Sequence, residues 1–248
     1  MKRLLSGLLF LFIISSSACN SSNNNPLNAP IFNPYDEETW NFALVSSIDG
    51  YSIYLYAKDI FQEGGMLLYY KGEHVYLDNW SSAFPRLILP QLFYYDLNKD
   101  GINELIAIIA IGSGTGVSIY DLHVLNIDNA NDDGYEFTQF SLIGTEINQW
   151  MDIPMYIEVS ENSEAHDFIL GSKRFTIDNF DSRDIGYQND VFFGDIVTFE
   201  FEDKQLKVIV GVSILCEISN TPIFFGVVEA FVLFDGKNLF LGEYTFTL

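Results

Sequence analysis

Nine residues hold the densest chemistry in this chain. In "DLNKDGINE", Asp96 to Glu104, oxygen-bearing side chains fall at positions 1, 3, 5 and 9: Asp96, Asn98, Asp100 and Glu104. Gly101 stands at position 6, where a sharp turn favours a residue without Cβ. Alternate side chains of a tight loop point inward, so these oxygens converge, and the backbone carbonyl of Ile102 adds a further ligand. Hard oxygen donors in this number suit Ca2+. No His or Cys stands among them to favour Zn2+. The expectation is one structural Ca2+ site held by Asp96, Asn98, Asp100, Ile102 and Glu104. The competing reading is a set of Asx turns, in which the same side chains accept bonds from nearby backbone N–H groups.

The loop is not an EF-hand, which needs an acid at position 12, where this chain has Ala107. It resembles the shorter calcium loop of FG-GAP and integrin-type repeats, "DxDxDGxxD", with Asn98 and Glu104 in place of two aspartates. Those families repeat the loop around a propeller. A single copy implies calcium held between two strands and carries no propeller with it. The loop followed by "GSGTGVSIYDLHV" is similar to a combination in uncharacterised bacterial lipoproteins, which implies a cell-envelope setting and no known activity.

Other residues offer weaker chemistry. "GSGTG", Gly112 to Gly116, has the glycines of a phosphate loop, but a β pattern follows where a helix N-terminus is needed. It reads as a mobile connection between strands. Ser113, Asp121 and His123 contain the residue types of a hydrolase triad, with Asp121 and His123 on one strand face. Ser113 lacks the GxSxG elbow that presents such a nucleophile. His74 and His166 read as packed or surface histidines. Trp40, Trp80 and Trp150 read as core or rim residues in preference to a sugar platform. No residue is assigned a catalytic role.

The elements that must position these groups are mostly strands. "YSIYLYA" (51–57) alternates, and "GMLLYYKGEHVYLDNW" (65–80) reads as a hairpin turning at Lys71-Gly72-Glu73. "LFYY" (92–95) enters the acid loop and "LIAIIAI" (105–111) leaves it. The second run is apolar at every position, as for a central strand covered on both faces. "VSIYDLHVLNI" (117–127) and "YEFTQFSLI" (135–143) follow, separated by a polar loop containing Asp133-Gly134. A C-terminal meander turns at Glu202-Asp203-Lys204 and at Asp235-Gly236. Short helices are expected within 36–46 and 145–151, and loops with short strands over 159–195. The fold expected is a single mainly-β domain over 36–248. It is an antiparallel sandwich or a strongly curved sheet, with one or two short helices.

The N-terminus has the layout of a secretory signal: Lys2 and Arg3, the apolar run Leu4 to Ile14, then small residues. It closes on "SSAC", Ser16 to Cys19, which resembles the lipobox of bacterial lipoproteins, with Ser16 where Leu is usual. The resemblance implies a signal peptide at 1–18 and lipidation at Cys19, with the mature protein held on a bacterial membrane outside the cytoplasm. Residues 19–35, rich in Asn and Pro, read as a flexible tether. Cys216 is the other cysteine, so the domain has no internal disulfide, and Cys216 reads as a small core residue.

Acids number 34 against 12 Lys and Arg, for a net charge of −22. Such a charge repels nucleic acid and anionic lipid, and it draws cations. The expectation is a non-catalytic, Ca2+-stabilised surface lipoprotein, acting as an extracytoplasmic binding or envelope-support module. Its partners would be the membrane through the anchor, and an extracellular protein or glycan. The alternative is an extracytoplasmic hydrolase that uses carboxylates in its sheet loops.

Overall fold

A computed structural model describes residues 25–60, 64–81, 83–130, 134–159, 166–177, 191–216 and 221–247. Cys19, the segment 1–18 and the side chains of His166 and Cys216 lie outside the described residues. The chain is mainly β, as the alternating patterns require. Among the described residues no helix is long and apolar enough to cross a membrane.

Four strands form a first antiparallel meander: β1 (Phe42–Ile48), β2 (Ile53–Lys58), β3 (Met66–Tyr70) and β4 (Glu73–Leu77). Lys71 and Gly72 make the β3–β4 turn at the expected place, both with positive φ. A larger sheet is built from β5 (Gln91–Tyr95), β6 (Glu104–Gly114), β7 (Val117–Ala130) and β8 (Gly134–Leu142). Three short strands, β9 (Met155–Val159), β10 (His166–Leu170) and β11 (Lys173–Ile177), make a separate small sheet. The C-terminal meander β12 (Val191–Glu202), β13 (Gln205–Cys216), β14 (Thr221–Phe234) and β15 (Leu239–Thr247) then joins the larger sheet. The one α-helix among the described residues, α1 (Ile147–Trp150), follows a 3-10 turn at Gly144–Glu146. The short helix expected near residue 36 is a 3-10 turn, Glu37–Thr39, capped by Asp36.

The larger sheet runs β15-β14-β13-β12-β7-β6-β5, with β8 also paired to β7. The long β7 divides one edge between two partners: its second half pairs with β8, while Ser118 and Ile119 pair with β12. That β12 contact is parallel. The sheet curls strongly. Phe93 on β5 meets Phe201 on β12 at 4.9 Å between ring centroids, and Phe140 on β8 meets Phe234 on β14 at 4.9 Å.

Two cores result, and β6 serves both. Ile106 and Ile108 enter the core inside the curl, with Val208, Val210 and Phe168. Leu105, Ala107 and Ile109 enter the second core, beneath the four-stranded sheet, with Leu55, Met66 and Trp80. The uninterrupted apolar run is thus explained by burial on both faces.

The stretch expected as a tether is folded from Asn25 onward. Phe32 N–H donates to Leu44 O at 3.0 Å, and Leu44 N–H donates to Pro30 O at 2.9 Å. Ile31 thereby bridges to β1 in parallel, and the Phe32 side chain is buried in the second core.

Candidate metal centre

The acid loop joins two paired strands of the curled sheet. Tyr95 and Glu104 form the last cross-strand pair of β5 and β6, so residues 96–103 are the connection. Lys99 and Gly101 both take positive φ, at 63° and 92°, which closes the turn. Glycine meets this requirement at 101 without strain.

The acidic and amide side chains turn inward onto the loop's own backbone. Asp96 accepts from Asp100 N–H at 3.0 Å and from Gly101 N–H at 2.9 Å, one bond to each carboxylate oxygen. Asn98 Oδ1 also accepts from Asp100 N–H at 3.0 Å, and its Nδ2 donates to Asp100 Oδ2 at 2.8 Å. Asp100 Oδ1 accepts from Ile102 N–H at 2.7 Å. Glu104 Oε2 accepts from Leu97 N–H at 2.7 Å. The Asx-turn pattern is therefore present. It leaves acceptor capacity, because each carboxylate oxygen has two lone pairs.

Glu104 differs from its neighbours. Asp96 and Asn98 are half-buried and Asp100 is exposed, whereas Glu104 is 2% exposed. Burial pushes its pKa up to about 7, Asp100 and Asp96 push the same way, and the Leu97 N–H works against them. Among the described residues no group of three or more His, Cys, Asp or Glu side chains is gathered as a ready metal cage. The Ile102 side chain is exposed, and it is the carbonyl of this residue that was expected to bind.

The curl brings this loop to the opposite end of the strand order. A Cβ placed on Gly236, in the β14–β15 turn, would stand 3.2 Å from Asn98 Nδ2. Asn126 Nδ2 donates to Gly236 O at 3.4 Å. A groove of about 400 Å3 opens beside the loop, lined by Leu97, Lys99, Lys204, Phe231, Leu233 and Glu243 among others. Nothing in the local sequence pattern couples residues 97–99 to 231–243, since that proximity exists only once the sheet has curled.

The triad residue types do not assemble. Ser113 pairs with Ser118 near the end of the β6–β7 hairpin. Five residues separate Ser118 from His123, about 17 Å along a strand and an odd step that changes face. Gly112 to Gly114 continue β6, and the turn is only Thr115-Gly116, so the glycine run is a hairpin end and not a long mobile connection. Asp121 is buried and accepts from Gly144 N–H at 2.8 Å, and burial raises its pKa. His123 is fully buried. Its Nδ1 lies 2.7 Å from Ser141 Oγ, its ring stacks on Trp80 at 4.8 Å, and Nε2 has no hydrogen-bond partner among the described residues. Gln139 completes the cluster, accepting from Trp80 Nε1 at 3.1 Å and donating to Ser141 Oγ at 2.9 Å.

Sequence reasoning missed Ser141 and Gln139. The hairpin register offered a signal: Ala130 pairs with Gly134, and counting back along both strands places His123 opposite Ser141. The tryptophans stand in or against the two cores. Trp80 is fully buried in the second core, while Trp40 and Trp150 are half-buried at core edges. His74 is exposed on β4. Comparison of the chain with protein-family models, with curated proteins and with solved structures finds no match.

Proposed function

We propose that the chain is an exported, lipid-anchored binding or support module, whose 96–104 loop takes one Ca2+ as a structural clip. The carrying observation is Glu104. A carboxylate with almost no exposure, facing Asp100 and Asp96, is a charge arrangement that a cation relieves. Asp96, Asn98, Asp100, Glu104 and the Ile102 carbonyl are the groups that would hold the ion. Oxygen-only donors favour Ca2+ over Zn2+, and Mg2+, which demands a tight octahedron and keeps its waters, is the poorer fit. Bound there, the ion would neutralise the loop, fix the β5–β6 connection and steady the neighbouring groove. That groove, lined by apolar side chains together with Lys99, Lys204 and Glu243, is the surface offered to a partner.

Melting of chelator-treated protein tests the clip. Ca2+ at ~10 mM against a Kd of ~0.1 mM would stabilise the fold by about 2.7 kcal/mol. Asp100→Ala should abolish the response. A melting curve that ignores Ca2+ in the parent would defeat the reading.

The hydrolase reading draws on the Ser141–His123 contact. Its weakness is access, because His123 is fully buried and stacked on Trp80. A panel of esters and glycosides, assayed at saturating Ca2+, decides between the two. Turnover by the parent that disappears in a folded His123→Gln variant would establish the enzyme.

A further inference from the structure

We propose that residues Asn25 to Tyr35 form a lipid-contacting collar that lays this side of the domain on the membrane surface. The proposal rests on the anchor reading of Cys19. Its geometry starts from the way the segment is fastened. The Phe32 and Leu44 backbone bonds hold it along β1, and the Tyr56 hydroxyl donates to Asn25 Oδ1 at 2.7 Å. Asn25 stands six positions after Cys19. A fully extended chain spans only about 20 Å over that interval. An acylated Cys19 therefore keeps this side of the domain close to the lipid headgroups.

The composition of the segment fits that position. Residues 20–35 contain no charged side chain, in a chain that carries 34 acids. Acids return at once with Asp36, Glu37 and Glu38. Anionic headgroups repel carboxylates within a Debye length of about 8 Å, so an uncharged run is what can rest beside them.

The segment also turns apolar groups outward. Leu27 is 39% exposed, Ile31 51% and Tyr35 94%. Phe32 points into the second core, so Ile31 lies on the opposite face of the first sheet. That face carries Phe42, Leu44, Tyr54, Tyr56 and Tyr69, of which Leu44, Tyr54 and Tyr56 are buried, and Ala29 packs against it. By strand alternation Tyr76, 53% exposed, extends it across β4. Tyrosines combine an apolar ring with a polar hydroxyl, the combination enriched at membrane–water interfaces. Exposed Leu27, Ile31 and Tyr35, on an uncharged segment that leads from a lipid anchor, fit a lipid surface better than water.

Amide hydrogen exchange on the full lipidated chain tests the collar, in vesicles of phosphatidylethanolamine and phosphatidylglycerol. Peptides from 25–35 should exchange about tenfold more slowly on vesicles than in the free Cys19→Ser protein, while the β14–β15 turn stays unchanged. The pair Leu27→Asp and Ile31→Asp should lose this protection and keep the parental melting temperature. Tyr35→Asp, at a nearly fully exposed site, supplies a second variant should that pair weaken the fold. Equal exchange on and off vesicles, or protection that survives these aspartates, would overturn the proposal. A fatty-acid probe reports separately on Cys19. An unlabelled Cys19 would refute the anchor alone. The collar would then be measured with Cys19 coupled to a maleimide lipid in the same vesicles, in a Cys216→Ser chain.

Discussion

Two buried titratable side chains pull the stability of this protein in opposite directions with pH. Burial pushes the His123 pKa down to about 3, from an ordinary value of 6.5. Between those values the unfolded chain takes up a proton that the folded chain refuses, so stability falls as pH drops from about 6.5 towards 3. Near pH 4.5 the loss is on the order of 3 kcal/mol, at ~1.4 kcal/mol per unit. Because Glu104 gains stability over the same interval, the test is a difference: urea unfolding at pH 7 and pH 4.5 should show the parent losing about 3 kcal/mol more than His123→Gln does, and an equal change in both proteins would remove His123 from the account. Glu104 works the other way. Its folded pKa of about 7 lies above the ordinary 4.5, so the folded chain keeps a proton that the unfolded chain gives up. The stability it contributes is full below pH 4.5 and is lost as pH rises through 7. Above that pH, without a cation, the buried carboxylate is a liability. Glu104→Gln keeps an acceptor for Leu97 N–H and removes the charge. It should therefore stabilise the protein in chelator at pH 8 and destabilise it in saturating Ca2+. If the variant shifts the urea midpoint the same way in both buffers, Glu104 is not a ligand.

At the scale of elements, local strand patterns and turns were written plainly in the sequence, while the partnerships between distant strands were not. The run 105–111 announced a strand covered on both faces, because only such a strand has no position that needs to be polar. Lys71-Gly72 and Asp235-Gly236 announced turns because the backbone there must reach positive φ, and Lys71, Gly72 and Gly236 do. The acid loop was legible for the same reason: Gly101 and the odd-numbered oxygens are one local device. Its surroundings were not. That Asn98 would sit beside Gly236, or that Lys99 and Lys204 would share a groove, depends on how far the sheet curls. Curl is a property of the summed twist of many strands and is not encoded in any one of them. The division of β7 between β8 and β12 has the same origin. Each half of that strand looks alike in sequence, and only the assembled sheet decides which neighbour it meets. The stretch 25–35 misled in the opposite sense. Asn and Pro are poor in ordinary strands, yet Pro30 and Phe32 need supply only a carbonyl and an N–H to hold an edge.

The whole molecule carries a net charge of −22, and that charge makes every cation stabilising to some degree. A rise in melting temperature on adding CaCl2 is therefore not by itself evidence of a site. General screening and specific binding separate by their dependence on ionic strength. Raising NaCl from ~0.01 M to ~0.15 M shortens the Debye length from about 30 Å to about 8 Å, which weakens repulsion across the whole surface. The parent and Asp100→Ala should gain stability alike in that titration, because removing one acid of 34 barely changes the summed field. At fixed ionic strength the two should part. Replacing part of the NaCl with CaCl2 should raise the melting temperature of the parent well above that of Asp100→Ala. MgCl2 should do so less, because Mg2+ gives up its waters reluctantly. Differential scanning calorimetry of both proteins in the three salts gives the comparison directly. Were Ca2+ and Mg2+ to act equally on parent and variant, the loop would be a hairpin of Asx turns on an acidic surface, and Glu104 a carboxyl held up by burial and by its acidic neighbours.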